Sequence, residues 1–230
     1  MALFEYFLHL PRMTRKSNII LTFHILLFFL LFVACSNGSN ASNFFQNNES
    51  EKSKKELTLE EQLALKADTA LLFCESNKMN TDFCILVDMK RHSGKKRFYV
   101  WDMQADTLIA SSLCAHGYGQ GSTKSKPVFS NVAGSYCTSL GKYKTGIRSY
   151  SNYGINVHYK LHGLEDSNNN AFKRIVVLHS YSPVPNRQIF PLHLPLGYSQ
   201  GCPVIDDDTM TLLDNMFKKQ KKPTLLWIYY

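Results

Sequence analysis

A succession of short apolar segments, closely spaced along the chain after residue 82, constrains the fold more than any other feature. Residues 83–87 form a continuous apolar run with the length and composition of a buried strand. Residues 157–162 alternate between apolar and polar side chains, which is typical of a strand with one buried face. The same criteria predict strands over 97–103, 107–114, 174–179 and 223–230.

Two helices are predicted beside these strands. Thr58 and Glu61 have the spacing of a capping box, and apolar residues then recur at helical spacing, which predicts a helix over 59–74. A second helix is predicted over 206–219, because acidic residues come first and lysines last, as the helix dipole favours. The apolar face of this second helix comprises Met210, Leu213 and Phe217.

The order of these elements predicts the fold class. Many short strands, with one helix before them and one near the C-terminus, indicate a mainly β fold of the sandwich or barrel type. A turn is predicted at 104–106, and the glycine-containing stretches 116–122 and 134–146 are predicted to be loops over the sheet.

A short basic segment followed by an apolar run marks the N-terminus. The run covers residues 19–34, which is typical of a secretory signal and shorter than the roughly 20 apolar residues of a spanning helix. It ends in Leu31-Phe32-Val33-Ala34-Cys35, which resembles a bacterial lipobox, where the cysteine receives lipid. We therefore expect a lipoprotein-type signal peptide over 1–34. Lipid on Cys35 would anchor the rest of the chain to a membrane, facing the periplasm.

Two alternatives at the N-terminus stay open. An uncleaved anchor helix would also place the remainder outside the cytoplasm, and Met13 is as suitable a start as Met1, since a compact basic region follows it. Residues 35–56 are rich in Ser and Asn, then charged, and lack apolar periodicity, which predicts a flexible tether. The predicted organisation continues with an N-terminal helical segment, 57–79, and a main domain, 80–230.

The charge of the chain limits its partners without selecting one. Lys and Arg number 26 against 18 Asp and Glu, so the formal net charge is +8, which suits a membrane surface, a wall polymer or a nucleic acid. Nucleic-acid binding also requires dense basic residues interleaved with aromatic ones, and no such block occurs in the sequence. We therefore predict no nucleic-acid partner.

The six cysteines of the chain are assigned different roles. With Cys35 assigned to lipid, five remain, and in an exported chain at least one of them is unpaired if all bridges are internal. Cys202 is the candidate, because it lies in a Gly-containing turn, Ser199-Gln200-Gly201-Cys202-Pro203. The other four allow three pairings, which the sequence does not distinguish, or remain free as small hydrophobic residues. They are Cys74, Cys84, Cys114 and Cys137.

A cysteine nucleophile needs a base to form the thiolate and backbone donors for the oxyanion that its attack creates. His179 comes at the end of an apolar strand segment, from which a side chain can project into a cleft. A turn at Gly201 and Cys202 leaves N–H groups outside any strand ladder. Cys202 and His179 are therefore the candidate nucleophile and base.

The segments around these two residues resemble a known family. Residues 174–180, Arg-Ile-Val-Val-Leu-His-Ser, and 197–203, Gly-Tyr-Ser-Gln-Gly-Cys-Pro, resemble the active-site motif of the L,D-transpeptidase (YkuD-type) catalytic domain. Upstream segments at 116–122, 129–131 and 163–165 resemble the murein L,D-transpeptidase branch, in the family's order. The resemblance covers about residues 80–230.

The resemblance implies a peptidoglycan-remodelling enzyme that needs no cofactor. Such enzymes use cysteine to attack the amide between an L-centre and a D-amino acid in a stem peptide, then pass the acyl group to an amine of a neighbouring stem. Carried over, Cys202 is the nucleophile, His179 the general base and Ser180 a residue that helps to orient the ring. The N–H groups of Gly201 and Cys202 are the implied oxyanion donors. Implied substrate-binding residues are His116, Gly117, Arg174, Ser199 and Gln200.

Alternatives within and outside this chemistry remain. Gln200 and Val204 stand where family members commonly have His and Arg or Asn, which leaves the acyl acceptor open. A hydrolase of the carboxypeptidase or endopeptidase type, acting on the same stems, is one alternative. A catalytically inactive wall-binding lipoprotein is another, although the presence of both Cys202 and His179 argues against it.

A metal site is not predicted. His158 and His162 have the i, i+4 spacing of a zinc pair, but that spacing places two ligands together only on a helix. On the predicted strand, four residues span roughly 13 Å, which is too far for one metal ion.

Overall fold

The computed structural model describes residues 56–230 and confirms the mainly β fold, with one helix before the strands and one near the C-terminus. The elements in chain order are α1 (Leu59–Ser76), β1 (Phe83–Asp88), β2 (Phe98–Asp102), β3 (Thr107–Ser112), β4 (Gly141–Tyr150), β5 (Val157–Gly163), β6 (Val177–Ser180), β7 (Val204–Ile205), α2 (Asp207–Phe217) and β8 (Leu225–Tyr229). The predicted signal peptide, and the predicted tether as far as residue 55, lie outside the described residues. Within 56–230, no helix combines the length and the apolar character needed to cross a membrane.

The eight strands of the described chain form one sheet, in the order β3-β2-β1-β8-β4-β5-β6-β7. Neighbouring strands are antiparallel except for β1 with β8 and β6 with β7, which are parallel. The Ala115 N–H, just after β3, donates to the Val204 carbonyl of β7 at 2.9 Å. The two ends of the sheet therefore meet, and the sheet is a nearly closed barrel.

Strand β1 is buried on both faces, which explains its continuously apolar sequence. Cys84 and Leu86 pack in a cluster with the buried face of α1. Ile85 and Val87 point to the opposite face and pack in the larger cluster that also contains residues of α2. Successive side chains of one strand thus contribute to two cores.

Helix α1 begins at the predicted capping box and extends two residues beyond its predicted end at position 74. The Glu61 N–H donates to Thr58 Oγ1 at 3.2 Å, and the Thr58 N–H donates to Glu61 Oε2 at 2.8 Å. The helix buries one face against the sheet, comprising Leu63, Ala67, Ala70 and Cys74.

A Schellman motif follows α1. The Lys78 N–H donates to the Glu75 carbonyl at 3.3 Å, and the Met79 N–H donates to the Cys74 carbonyl at 2.9 Å. Lys78 itself is left-handed, with φ = +54°, and its side chain is exposed.

Helix α2 confirms the second helix prediction. Asp206 caps it, because its Oδ1 accepts the Thr209 N–H at 2.8 Å. All three residues of the predicted apolar face are buried: Met210, Leu213 and Phe217.

The prediction of a loop over 134–146 is wrong from Gly141 onward, where β4 begins. Glycines at 141 and 146 interrupt the strand pattern, so β4 carries little local signal. Its conformation is stabilised by pairing with β5 and β8, and β8 lies about 80 residues further along the chain.

The predicted strand 174–179 is wrong at its beginning, because β6 starts only at Val177. Residues 171–176 form a turn in which the Val176 N–H donates to the Ala171 carbonyl at 2.9 Å. These turn hydrogen bonds override the β-branched composition of the segment. The two-residue strand β7 was not predicted, since its length gives no periodic pattern.

Candidate active site

Cys202 lies in a sharp turn immediately before β7. The turn depends on Gly201, whose φ of +116° lies in the region that favours glycine. A Cβ on Gly201 would also lie 2.7 Å from the carbonyl oxygen of Cys137. The residue before the thiol must therefore be glycine, both for its backbone conformation and for the space it occupies.

The hydroxyl of Ser199 holds this turn together. It accepts the Gly201 N–H at 2.9 Å and donates to the Cys202 carbonyl at 2.6 Å. Ser199, predicted to bind substrate, is buried, whereas its neighbour Gln200 is exposed beside the thiol. Ser199 therefore stabilises the turn that carries Cys202.

The two predicted oxyanion donors differ in their surroundings. The Gly201 N–H is engaged by Ser199. The Cys202 N–H has no hydrogen-bond partner among residues 56–230. Gly201 can serve an oxyanion only by sharing or leaving its bond to Ser199, so its role stays a prediction.

The sulfur of Cys202 contacts the backbone of the neighbouring segment. The Val177 N–H donates to Sγ at 3.4 Å, and the thiol faces the Ile175 carbonyl at 3.9 Å. Burial raises the pKa of the thiol, while the Val177 N–H and the Arg174 charge act to lower it, with burial the larger effect. The resting thiol is therefore protonated and needs a base.

His179 is oriented by the residue that follows it. Its Nδ1 lies 2.9 Å from the Ser180 carbonyl oxygen, which only accepts hydrogen bonds. Nδ1 therefore carries the proton and Nε2 carries the lone pair, which is the tautomer that a general base requires. Burial lowers the pKa of His179, outweighing the Ser180 carbonyl, so the ring is neutral at rest.

Ser180 acts on the site through its backbone. Its carbonyl orients the His179 ring, while its Oγ accepts the Ile155 N–H at 3.1 Å. A Cβ on Gly154 would lie 2.0 Å from that Oγ. The side chain of Ser180 therefore fixes the 154–155 turn rather than touching the ring.

His179 lies on β6 and Cys202 lies in the turn that precedes the adjacent strand β7, and no direct hydrogen bond joins their side chains among the described contacts. β6 and β7 are parallel, with His179 opposite Val204, two residues after the thiol. The thiol of Cys202 reaches Val177, two residues before His179. Proton transfer therefore requires a rotamer change at Cys202 or a bridging water, and catalytic hydrogen bonds often tighten only when substrate binds.

The Arg174 side chain lies against the turn that carries Cys202. Its Nη1 donates to the Ser130 carbonyl at 2.8 Å and to Ser139 Oγ, and its Nη2 donates to the Cys137 carbonyl at 2.6 Å. Nη2 also lies 3.2 Å from the position of a Cβ on Gly201. Arg174 was predicted to bind substrate. With these donors engaged, it positions residues 130–139 and presents positive charge to the thiol.

His116, predicted to bind substrate, is buried in the structure and makes hydrogen bonds within the fold. Only 5% of the residue is exposed. Its Nδ1 accepts from Arg97 at 2.9 Å, and its Nε2 donates to the Thr123 carbonyl at 2.8 Å. Burial and the adjacent Arg97 charge lower its pKa to about 4. His116 therefore holds the 116–123 loop, and both of its nitrogens are occupied.

Gly117, also predicted to bind substrate, packs directly on the turn that carries Cys202. Its N–H donates to Thr138 Oγ1 at 3.0 Å. A Cβ at this position would lie 2.2 Å from the Tyr136 carbonyl oxygen and 2.9 Å from the Gly201 nitrogen. Glycine is needed here for close backbone packing.

Several residues near the candidate site were not predicted from the sequence. Val177 and Ile175 contact the thiol through backbone atoms, which no side-chain pattern reveals. Arg97 lies just before β2, remote from the motifs in sequence, and is 1% exposed. The centre of the Tyr153 ring lies 5.6 Å from that of the His179 ring. In the sequence, only the abundance of tyrosine near the motifs could have suggested an aromatic neighbour for His179.

The remaining cysteines and histidines of residues 56–230 are placed as follows. All five cysteines of the described chain are free, and Cys202 is the one that is not buried. His158 and His162 lie on strand β5, as predicted. Within residues 56–230, no group of three or more His, Cys, Asp or Glu side chains is placed to hold a metal ion.

Comparisons with known proteins give a family and distant structural matches. A family model described as the L,D-transpeptidase catalytic domain matches residues 55–229. No curated protein matches the chain. Similar solved structures include an L,D-transpeptidase from Xylanimonas cellulosilytica, at 11% identity and a TM-score of 0.36, covering 64% of this chain and 60% of that one.

Another similar structure is the helical cell shape determining protein Pgp2 from Campylobacter jejuni, at 12% identity and a TM-score of 0.38. The match covers 72% of this chain and 55% of that one. The matched region thus spans less than two thirds of the length of either solved structure.

Proposed function

Because the chain belongs to the L,D-transpeptidase catalytic domain family, we propose that it remodels peptidoglycan by transferring stem-peptide acyl groups through a thioester on Cys202. One observation carries the proposal. A single partly exposed thiol lies on a fixed turn beside a histidine in the tautomer of a base, while the other cysteines of residues 56–230 are buried.

The first half of the reaction forms the thioester. His179 Nε2 takes the thiol proton, and the thiolate attacks the carbonyl carbon of the amide between an L-centre and a D-amino acid. The Cys202 N–H donates to the oxyanion that develops. The C–N bond then breaks, the D-amino acid leaves with the proton from His179, and the acyl group remains on sulfur.

The second half releases the acyl group. An amine of a neighbouring stem gives its proton to His179 and attacks the thioester, which forms the cross-link and returns the thiol. Burial keeps the resting thiol and imidazole neutral, so the thiolate–imidazolium pair that starts this cycle depends on its mutual attraction and on the Val177 N–H and Arg174 charge, which favour the thiolate.

The test is incubation of the protein with purified tetrapeptide stems, followed by mass spectrometry of products and of the intact protein. We expect an acyl adduct that maps to Cys202, together with dimers or D-amino-acid exchange products. Cys202→Ala should lose both. Cys84→Ala should keep both, because Cys84 is fully buried in β1 and distant from the turn.

Other outcomes identify the alternatives. Loss of the terminal D-residue without dimer or exchange would identify a hydrolase. Binding to cell-wall material without any adduct would identify a wall-binding protein. An adduct mapped to another residue, or full activity in Cys202→Ala, would contradict the proposed mechanism.

The proposed location is the cell envelope, where the predicted lipid on Cys35 would hold the domain close to its polymer. Support comes from the lipobox-like sequence alone. We expect the full chain to fractionate with membranes and Cys35→Ala to be processed abnormally. A soluble, unlipidated mature protein cut elsewhere would refute lipid anchoring.

A further inference from the structure

Ile175, beside the thiol, has a backbone conformation that its residue type disfavours. Its φ is +57°, in the left-handed region. The Ile175 N–H donates to the Phe172 carbonyl at 3.1 Å, and the Val176 N–H donates to the Ala171 carbonyl at 2.9 Å. These two bonds define a Schellman motif, in which glycine usually occupies the left-handed position. A β-branched residue there is an outlier, because its Cβ crowds the following carbonyl.

Packing within the fold does not account for isoleucine at this position. The residue is 70% exposed, whereas Ala171 and Val176, whose hydrogen bond closes the turn, are buried. A glycine would make the same hydrogen bonds without strain. Strained residues that their own packing does not require are concentrated at functional sites.

Lys78 provides an internal comparison. It occupies the same position of a Schellman motif, with the same pair of hydrogen bonds and φ = +54°. There the residue is polar, unbranched and exposed. The motif itself therefore does not call for a large branched apolar side chain.

The location of Ile175 relates it to the reaction. Its carbonyl oxygen lies 3.9 Å from Cys202 Sγ. Phe172, in the same turn, is also half exposed, and its ring stacks on His162 at 4.8 Å. Phe172 and Ile175 are thus two exposed apolar side chains of the turn whose Ile175 carbonyl faces the thiol, and we refer to them as the apolar ledge; Lys160 Nζ lies 5.5 Å from the Phe172 ring.

We infer that Ile175 is a specificity-determining residue whose exposed side chain contacts the aliphatic side chain of the L-centre that Cys202 acylates. The inference rests on the proposed function. The thiolate attacks the carbonyl carbon of that L-centre, so the side chain of the same residue must lie within a few ångströms of the thiol. A long aliphatic side chain there removes apolar surface of the ledge from water, whereas a methyl group does not reach it.

The test compares Ile175→Gly, Ile175→Val and the control Lys78→Gly. Two stem-peptide donors are used, one with lysine and one with alanine at the L-centre, and the rate of Cys202 acylation is measured by intact-protein mass. Thermal midpoints are measured in parallel. Both glycine variants relieve a left-handed residue, so both should raise the midpoint, by about 1–4 °C for a domain of this size.

The two glycine variants should separate in their kinetics. Wild type should favour the lysine donor. Ile175→Gly should slow acylation by that donor about tenfold or more and bring the ratio of the two rates close to one, since a few lost methylene contacts change discrimination by about this factor. Ile175→Val should keep most of the preference, and Lys78→Gly should keep all of it.

Two results would overturn the inference while leaving the proposed function intact. One is wild type that is acylated at Cys202 without preference for the lysine donor. The other is Ile175→Gly that loses rate equally with both donors, or keeps both rates. Wild type that neither donor acylates would instead refute the proposed function, and the assignment of Ile175 with it.

Discussion

Two hydrophobic clusters on the same sheet differ in size and in the polar groups around them. The helix-side cluster, beneath α1, contains eleven buried residues, among them Leu63, Leu86 and Trp101. The thiol-side cluster, beneath Cys202, contains five: Leu113, Ala115, Val184, Leu194 and Val204. Buried polar residues surround the second cluster, including His116, Thr138, His179, Ser180 and Ser199.

The difference shows how this fold divides stability from chemistry. The helix-side cluster excludes water with apolar surface, so its cysteines are inert: burial raises the pKa of Cys74 to about 11. Near the thiol, backbone and hydroxyl groups are fixed by hydrogen bonds rather than by a large core. Substitutions in the two clusters should therefore affect different measurements.

The largest effect should come from His179→Ala at the thiol side. Removal of the base should lower the acylation rate by about 10²–10⁴-fold, which corresponds to roughly 3–5 kcal/mol in the barrier. Single-turnover mass spectrometry measures it. Cys202→Ala, which has no thiol to acylate at this position, sets the background of the assay. Near-normal acylation in His179→Ala would show that another group takes the proton.

Leu86→Ala at the helix side should have the reverse signature. Leu86 is fully buried between α1 and the sheet, so its truncation should lower the free energy of unfolding by about 2–5 kcal/mol. The acylation rate of the folded protein should stay within about twofold of wild type. Urea unfolding and the same single-turnover assay measure the two quantities. A large rate loss at full folding would remove the distinction between the clusters.

Acid should affect the thiol side through His116. Its folded pKa of about 4 lies below the ordinary value of 6.5, so the unfolded chain binds the proton first as the pH falls. Stability from this residue is complete above about pH 6.5 and is lost towards pH 4, by at most about 3 kcal/mol. The groups that act on this ring are Arg97, the Thr123 carbonyl and His193.

Urea unfolding at several pH values tests this, with His116→Gln as the control. Between pH 6.5 and pH 4 the wild type should lose more stability than the variant. The contributions of all groups other than His116 are common to the two proteins and cancel in the comparison. Parallel pH profiles in the two proteins would contradict the buried neutral state of His116. The helix-side cluster, whose described members include no histidine, should contribute nothing to this difference.

The sequence predicts those parts of the fold that have local signals. Both helices carry capping residues and an apolar face, and β1, β2, β3 and β5 carry apolar or alternating runs, so all six were predicted. β4 was not predicted, because β8, one of its partners, is remote in the sequence and its glycines interrupt the strand pattern. Residues 174–176, the last part of the turn at 171–176, were predicted to belong to a strand, because β-branched residues favour strands and the competing hydrogen bonds leave no pattern in the sequence.

The site divides in the same way. Motifs identify Cys202 and His179 as candidates, and the structure places His179 on β6 and Cys202 in the turn before the adjacent strand β7. The fate of His116 depends on Arg97, 19 residues away on the approach to β2, and composition gives no sign of that contact. The use of the Gly201 N–H depends on a serine hydroxyl whose rotamer only the folded turn defines. The candidate catalytic residues could therefore be predicted from their motifs, whereas the hydrogen-bond partners of His116 and of the Gly201 N–H could not.

The position of β8 has a consequence for how the molecule is made. This last strand of the described chain lies between β1 and β4, where Ile85 pairs with Leu226 across about 140 residues of sequence. A ribosome delivers β8 after every other strand, and until then β1 and β4 each have an edge without its neighbour. Closure of so long a loop is entropically costly and slows folding. The sheet is therefore joined across its middle only late, when the chain is available almost to residue 229.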